Sequence, residues 1–450
     1  MGLIDSVGLL LDKPGFDWKL VIVGFSTANF IFDSYLKYRQ IKEVNRNANK
    51  IPTILQGKID EKTVLKSSNY GIDKLKFSLF TSFYSLAQNL AFIKFDILPK
   101  LWTSSANLLL NYGSKILPAF MNGAIAQSLV FVGQISLISL VFGLPITYYS
   151  NFVIEEKYGF NKLTVKLWIT DMVKSLFIGC LLGAPILAGF LKIIEYFGDS
   201  FTYYLSIFLF VVQIFLIIVY PKFIQPLFNK LTPLEDGELK TTIEKLAHSQ
   251  KFPLDKLYVI DGSKRSSHSN AYFMGLPWGS KQIVLFDTLV EKSTVPETTA
   301  VLGHEIGHWA LSHTTKLLVI SQVHIFFIFS LFAGFIKNNS LFESFGFPVE
   351  RPILIGFMLF GDILKPIDAI MEFVMNLISR EYEYQADKYA AELGYADELK
   401  QALINLHKEN LSTVTVDWLY SAYSYNHPHV TERLEYIDEV AKKVESKKLD

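Results

Sequence analysis

The chain has 450 residues, half of them hydrophobic, with 37 Phe and 22 Tyr and a positive mean hydropathy, a composition that excludes an ordinary soluble protein of this size. Its 43 basic and 43 acidic residues balance, so no net field points to nucleic acid as a partner. The single cysteine, Cys180, excludes an intrachain disulfide and a thiolate metal site, and its apolar setting reads as small buried filler.

Asp5 and Asp12 at the start do not fit a cleavable signal peptide, so the first membrane span does the targeting. Runs of about 20 mostly apolar residues fall near 17–37, 77–99, 121–149, 172–196, 201–220, 317–336 and 352–378, which predicts seven spans. Between the first two lie Lys37, Arg39, Lys42, Arg46, Lys50, Lys58, Lys62, Lys66, Lys74 and Lys76, whereas the first sixteen residues hold only Lys13. Positive charge marks the cytosolic side, so the amino terminus is lumenal and the carboxyl terminus cytosolic. Met1, Gly2 and Ser6 fit a loose myristoylation pattern, but that end faces away from the cytosol and the pattern reads as chance.

This topology divides the chain into 1–220, spans one to five with cytosolic loops near 38–76 and 150–171; 221–316, a cytosolic segment; 317–378, spans six and seven; and 379–450, a cytosolic carboxyl-terminal segment. The two later cytosolic segments read as halves of one domain. Leu257–Ile260 and Gln282–Phe286 are β-branched and aromatic runs that predict a small sheet, and Glu297–Lys316 predicts a helix.

His304-Glu305-Ile306-Gly307-His308 sets two imidazoles at i and i+4, on one face of that helix, where both reach a single metal ion. Glu305 stands beside the metal, placed to take a proton from a polarised water and hand it to a departing amine, the chemistry of peptide hydrolysis. Leu311 and Thr314 stand where the metzincin extension needs Gly and His. His313 falls about 180° around a continuous helix from His304 and reads as a surface or packing residue. The third ligand is therefore sought on another helix. Arg380, Glu383 and Asp387 share roughly a 120° arc with Asp362, Lys365, Asp368 and Glu372, while Glu381 falls outside it; Glu383 is the ligand this spacing selects. The charged stripe within the seventh span suggests either a polar interior or interhelical hydrogen bonding.

With these motifs, Gly262–Phe273, the run Asn151–Asn161 and Pro233-Leu234-Glu235-Asp236-Gly237, the chain resembles the type 1 CaaX prenyl proteases along essentially its whole length. The resemblance implies a mainly α fold: a seven-span integral-membrane helical protein enclosing a chamber, with a cytosolic-side zincin-like helical domain and a small β-sheet. It implies one Zn2+ held by His304, His308 and Glu383, with Asp387 orienting a ligating histidine, His427 and Arg433 acting on the oxyanion and substrate, and Asn270 and Ala271 on an edge strand that pairs with substrate. It further implies prenylated CaaX proteins or peptides as substrates, membrane lipid as surroundings, and release of a carboxyl-terminal tripeptide, with a second cut in a mating-pheromone-type precursor in fungal members. Gly303 stands where alanine is common in the family. Lys447-Lys448-Leu449-Asp450 resembles a dilysine signal for the endoplasmic reticulum, and Asn338-Asn339-Ser340 fits a glycosylation sequon abutting the sixth span. A less selective membrane peptidase is the competing enzyme reading, and a seven-span receptor or channel is the non-enzymatic one.

Overall fold

The structure, a computed structural model, describes residues 11–48, 50–113 and 123–449. Asp5 and the Met1, Gly2 and Ser6 pattern lie outside the described residues, as do Asp450 and the first two positions of the predicted third span.

The chain is mainly helical with one small mixed sheet. Its long helices are α1 Trp18–Arg46, α2 Glu61–Lys94, the shorter α3 Ile97–Leu108, α4 Ala124–Tyr149, α5 Val165–Phe197 and α6 Phe201–Val219. Among the described residues, three stretches are long and apolar enough to cross a membrane: Ala124–Tyr158, Val165–Phe228 and His313–Phe335. The second of these carries both α5 and α6, so the three stretches cover four of the seven spans expected from the sequence. Phe177, Leu181, Ile207, Val211, Val319 and Val323 point outward from them, an apolar band that water would not tolerate and lipid would. Cys180 lies exposed on α5 rather than buried, because the apolar run around it faces outward.

Helices α1 and α2 and the 38-residue helix Ile353–Ala390 carry the other three expected spans, and each holds more charge than a lipid-facing helix. Those charges turn toward one another. Lys37 pairs with Asp33 at 2.6 Å, Ser82 donates to Asp33 at 2.9 Å, and Lys365 pairs with Asp362 at 2.7 Å and donates to Ser26 at 3.0 Å. Ser26, Asp33, Ser82 and Lys365 border a cavity of about 410 Å³. Asn89 and Gln134 also reach across helices, to Ser26 and Ser104, so the polar residues of the bundle both line a cavity and join helices. Helix α2 begins well before the run expected from 77 and ends at Lys94, because Asp60 caps its start by accepting from Thr63 N and Asp96 turns left-handed at φ 50°. Asn338 is buried and caps the helix Asn339–Ser344, accepting from Ser340 Oγ and Leu341 N at 2.9 Å. That leaves the sequon's amide inaccessible.

After α6 come β1 Leu231–Pro233, α7 Glu238–Ser249, β2 Leu254–Ile260, β3 Ala271–Met274 and β4 Lys281–Phe286. The sheet order is β1-β2-β4-β3, with β2 and β4 parallel and β3 antiparallel to β4. β3 is therefore an edge strand with one side unpaired. Beneath the sheet, Ile243, Leu246, Ile283, Leu285, Leu302 and Ile306 form a core that joins it to α8 Val295–Ala310. Then follow α9 His313–Phe335, α10 Ile353–Ala390, α11 Ala396–Glu409 and α12 Val430–Leu449.

α8 and α9 are not the single helix expected over Glu297–Lys316. Ser312 turns left-handed at φ 59°, which ends one helix and redirects the next. At Gly303, on α8, an added Cβ would lie 3.7 Å from the Ala390 Cβ and from Tyr395, ordinary contact. Gly303→Ala should thus stabilise the protein by about 0.5–1 kcal/mol through helix propensity, read as a raised thermal midpoint; a lowered midpoint would show that the space is tighter than this.

Candidate metal centre

Thr294 and Glu297 close a capping box at the start of α8, with a proline in its first turn, which satisfies free amides and sets the helix's phase. Two turns later His304 and His308 project from one face. α10 crosses close by at Gly307, where a Cβ would come 3.1 Å from the Tyr389 Cβ and 3.2 Å from the Ala386 Cα. That close approach carries Glu383 to the two histidines.

His304 Nε2 and His308 Nε2 lie 3.2 Å apart, and Glu383 oxygens lie 3.5 and 3.2 Å from them. Ligands on a tetrahedral zinc at roughly 2.05 Å are separated by roughly 3.3 Å, so the two nitrogens and the Glu383 carboxylate, whose two oxygens each face one histidine, are spaced as such a coordination shell requires. Glu383 Oε2 is buried and accepts no hydrogen bond, an orphan that a cation would satisfy. Among the described residues, these three form the group able to hold a metal ion. Burial alone would raise the Glu383 carboxyl, but the close approach of His304 and His308 and the charge of Arg433 hold it far below the usual range.

The surroundings orient these ligands. Asp387, fully buried, accepts from His304 Nδ1 at 2.8 Å and is gripped by Arg433 through Nε at 2.8 Å and Nη2 at 2.6 Å. With Nδ1 so engaged, Nε2 is the nitrogen left to face the Glu383 carboxylate and would be the one offered to a metal. Burial pulls the His304 imidazolium down, yet its bonds to Asp387 and Glu383 carry its pKa up to about 9. Arg433 also brings Nη1 to 3.4 Å from Glu383, and His427 from the loop before α12 brings Nε2 to 3.3 Å from the same carboxylate. Burial raises the Glu305 carboxyl, opposed by the neighbouring His304 and His308.

His313 is not a surface histidine. It is buried, stacks on Tyr382 with ring centroids 4.1 Å apart, and brings Nδ1 to 3.0 Å from His308 Nδ1. Its Nε2 lies 3.0 Å from Gln385 Oε1, and Gln385 donates to Glu381 at 2.9 Å. Gln385 Oε1 can only accept, so the His313 proton sits on Nε2 and donates to Gln385, which leaves His313 Nδ1 to accept from His308 Nδ1. This chain does for His308 what Asp387 does for His304. The redirection of α9 at Ser312 brings His313 back, and no residue pattern in the sequence marks that turn.

Asn270 and Ala271 lie at the start of β3. Asn270 Oδ1 accepts from Ala271 N at 2.8 Å, and its carbonyl accepts from Phe286 N at 3.0 Å. Just before them, His268 stacks on Phe160 at 4.0 Å, approaches Glu155 at 3.5 Å and bonds Asn410 at 3.0 Å. The Asn151–Asn161 run thereby buttresses the strand that begins at Ala271.

Two family profiles divide the chain: one described as CAAX prenyl protease N-terminal, five membrane helices, matches residues 40–230, and that of peptidase family M48 matches residues 233–441. The chain belongs to peptidase family M48, among the CAAX prenyl proteases. It is 52% identical to CAAX prenyl protease 1 of Saccharomyces cerevisiae over 96% of this chain and 98% of that protein. It is 38% identical to the human CAAX prenyl protease 1 homolog over 97% and 98%. The crystal structure of S. mikatae Ste24p superposes with a TM-score of 0.89 at 54% identity, covering 95% of this chain and 100% of that one. The chain is therefore a membrane metalloprotease, and the His304, His308 and Glu383 triangle is its possible metal site.

Proposed function

We propose that the protein is a zinc endopeptidase of the endoplasmic reticulum membrane, which hydrolyses the bond after a prenylated cysteine and releases the carboxyl-terminal tripeptide of CaaX proteins. The carrying observation is the triangle of two imidazole nitrogens and a carboxylate spaced 3.2–3.5 Å apart beside the buried Glu305. Two histidines and a glutamate are a donor set suited to zinc with one position left for chemistry. When bound, zinc supplies Lewis acidity toward water and the scissile carbonyl.

In this reading the residues divide the work. The substrate backbone pairs with the free edge of β3 at Ala271, with Asn270 holding it in register. Glu305, its pKa raised by burial, takes the proton of the attacking water and delivers it to the departing amine. His427 and Arg433 stabilise the charge that develops on the carbonyl oxygen, while Asp387 keeps His304 in its ligating tautomer. Seven spans with a lumenal amino terminus, the division at 220, 316 and 378, and a cytosolic tail bearing Lys447 and Lys448 complete the proposal. The agreement of charge bias with ligand placement supports it, since the positive-charge count, made without reference to the motif, assigns 304–308 and 383 to the same side of the bilayer. A second cut in a mating-pheromone-type precursor is an extension of the same chemistry.

The test measures metal content of the detergent-purified protein and tripeptide release from a farnesylated tail peptide, before and after chelation. About one zinc per chain, with release abolished by chelation and restored by zinc, is expected; release that survives metal removal would sink the reading. Zinc must displace the proton that His304 holds up to about pH 9, so affinity should tighten from pH 6.5 to 8.5. The metal-free protein should do the reverse. A pKa raised above the unfolded value lends stability that is full below pH 6.5 and is lost as pH rises through 9.

A further inference from the structure

A cavity of about 750 Å³ opens beside the metal centre. Arg433, His427 and Asn410 line it, together with Gly71, Lys74 and Ser78 from α2. α2 fits closely here because Gly71 has no side chain; a Cβ would overlap the Thr413 methyl.

Two permanent cations line this cavity, and they differ in how they are engaged. Arg433 is committed to Asp387 by two hydrogen bonds. Lys74 has no carboxylate within 4 Å among the described residues; its ammonium touches only the Tyr70 hydroxyl, at 3.3 Å, and lies over that ring. Glu155, a neighbouring acid, takes the single Tyr70 hydroxyl proton, with its oxygens 2.7 and 2.9 Å away, and meets the Lys74 charge only through that hydroxyl and through space. A lysine exposed to a cavity next to a peptidase centre, with no carboxylate in direct contact, is suited to an anionic group on the substrate.

We propose that this cavity receives the segment on the leaving side of the scissile bond and that Lys74 binds its free α-carboxylate. The assignment rests on the tripeptide-releasing activity proposed above. Strand direction supports it: a peptide added antiparallel to β3, the more stable arrangement, places its carboxyl end at the Asn270 end. There Asn410 accepts from Ser269 N at 3.3 Å and bonds His268, and Asn410 also lines the cavity. Three extended residues span about 10 Å, a length a cavity of this size contains. Its lining mixes aliphatic side chains, Leu403, Leu406 and Leu411 among them, with polar ones, which suits a short peptide of aliphatic residues that ends in a charge.

The test compares two farnesylated tail peptides, one ending in a free carboxylate and one in a carboxamide, with full-length, zinc-loaded protein in detergent. The wild type should prefer the acid by about 10–100-fold in kcat/KM, the worth of one charge-assisted hydrogen bond, mostly through KM. Lys74→Met should bring that ratio close to one, Lys74→Arg should restore much of it, and Lys74→Glu should favour the amide. Zinc content and thermal midpoint at wild-type levels confirm that the variants fold. A Lys74→Met enzyme that keeps the wild-type ratio, or a wild type that cleaves both peptides equally, overturns the role of Lys74 while leaving tripeptide release intact. Cleavage of neither peptide by the wild type overturns both readings together.

Discussion

Glu305→Gln is expected to lower the rate of tail cleavage about 10²–10⁴-fold, the usual contribution of a positioned general base, with metal content and fold unchanged. Glutamine keeps the volume and a hydrogen-bonding head but cannot take a proton. Glu305 is not one of the three atoms that converge on the metal position, so its loss separates proton transfer from metal binding. The raised pKa matters here. A carboxylate drawn toward neutrality is a stronger base than an exposed glutamate and accepts a proton from a polarised water at lower cost. Tripeptide release in single turnover, measured beside zinc stoichiometry, checks this. A variant that retains activity within tenfold would show that another group accepts the proton.

What the sequence revealed of the site follows from distance along the chain. His304 and His308 share a helical turn, and Glu383 and Asp387 share another, so 3.6-residue periodicity sufficed to pair them. The meeting of those turns is a tertiary event. It depends on Gly307, whose missing side chain admits α10, and the motif alone does not tell that glycine from a neutral one. Arg433 and Asp387 are 46 residues apart, and only the family resemblance drew attention to Arg433. Of the two readings of His313, surface or packing, the structure bears out packing; its contact with His308 escaped because the helical phase was extended through Ser312, a non-glycine residue in the left-handed region with no glycine or proline to announce the break.

The fold was legible in the same uneven way. Apolar runs located the outward-facing helices well, since lipid contact demands uniform side chains over the whole run. They located α2 poorly. Its first four turns project beyond the apolar run and carry Lys62, Lys66, Lys74 and Lys76, which hydropathy reads as loop. The Asp60 cap with Thr63 three residues on was the available signal. Those same turns supply Gly71 and Lys74 to the cavity beside the metal centre, so the part of α2 that composition obscured is the part nearest the chemistry.

Asp387→Asn should cost about 3–5 kcal/mol of stability, because it leaves a buried charge without its partner, and should weaken zinc binding about 10–100-fold. Asp387 serves two donors at once: one oxygen accepts from both His304 and Arg433, and the other accepts from Arg433. Asparagine offers a single acceptor oxygen and adds two hydrogens that would face the guanidinium. Either the arginine or the histidine then loses its bond. Losing the first strands the Arg433 charge, and losing the second frees the imidazole to turn Nε2 away from Glu383. The two effects can be separated by adding Arg433→Met. That double variant removes the stranded charge and should recover part of the lost stability, while its zinc affinity stays low because His304 is still unoriented. Thermal midpoints and competitive chelator titrations on the four proteins of this cycle make the comparison. Zinc affinity in Asp387→Asn within twofold of wild type would mean that packing alone orients His304, and that the Asp387–Arg433 pair serves the fold rather than the metal.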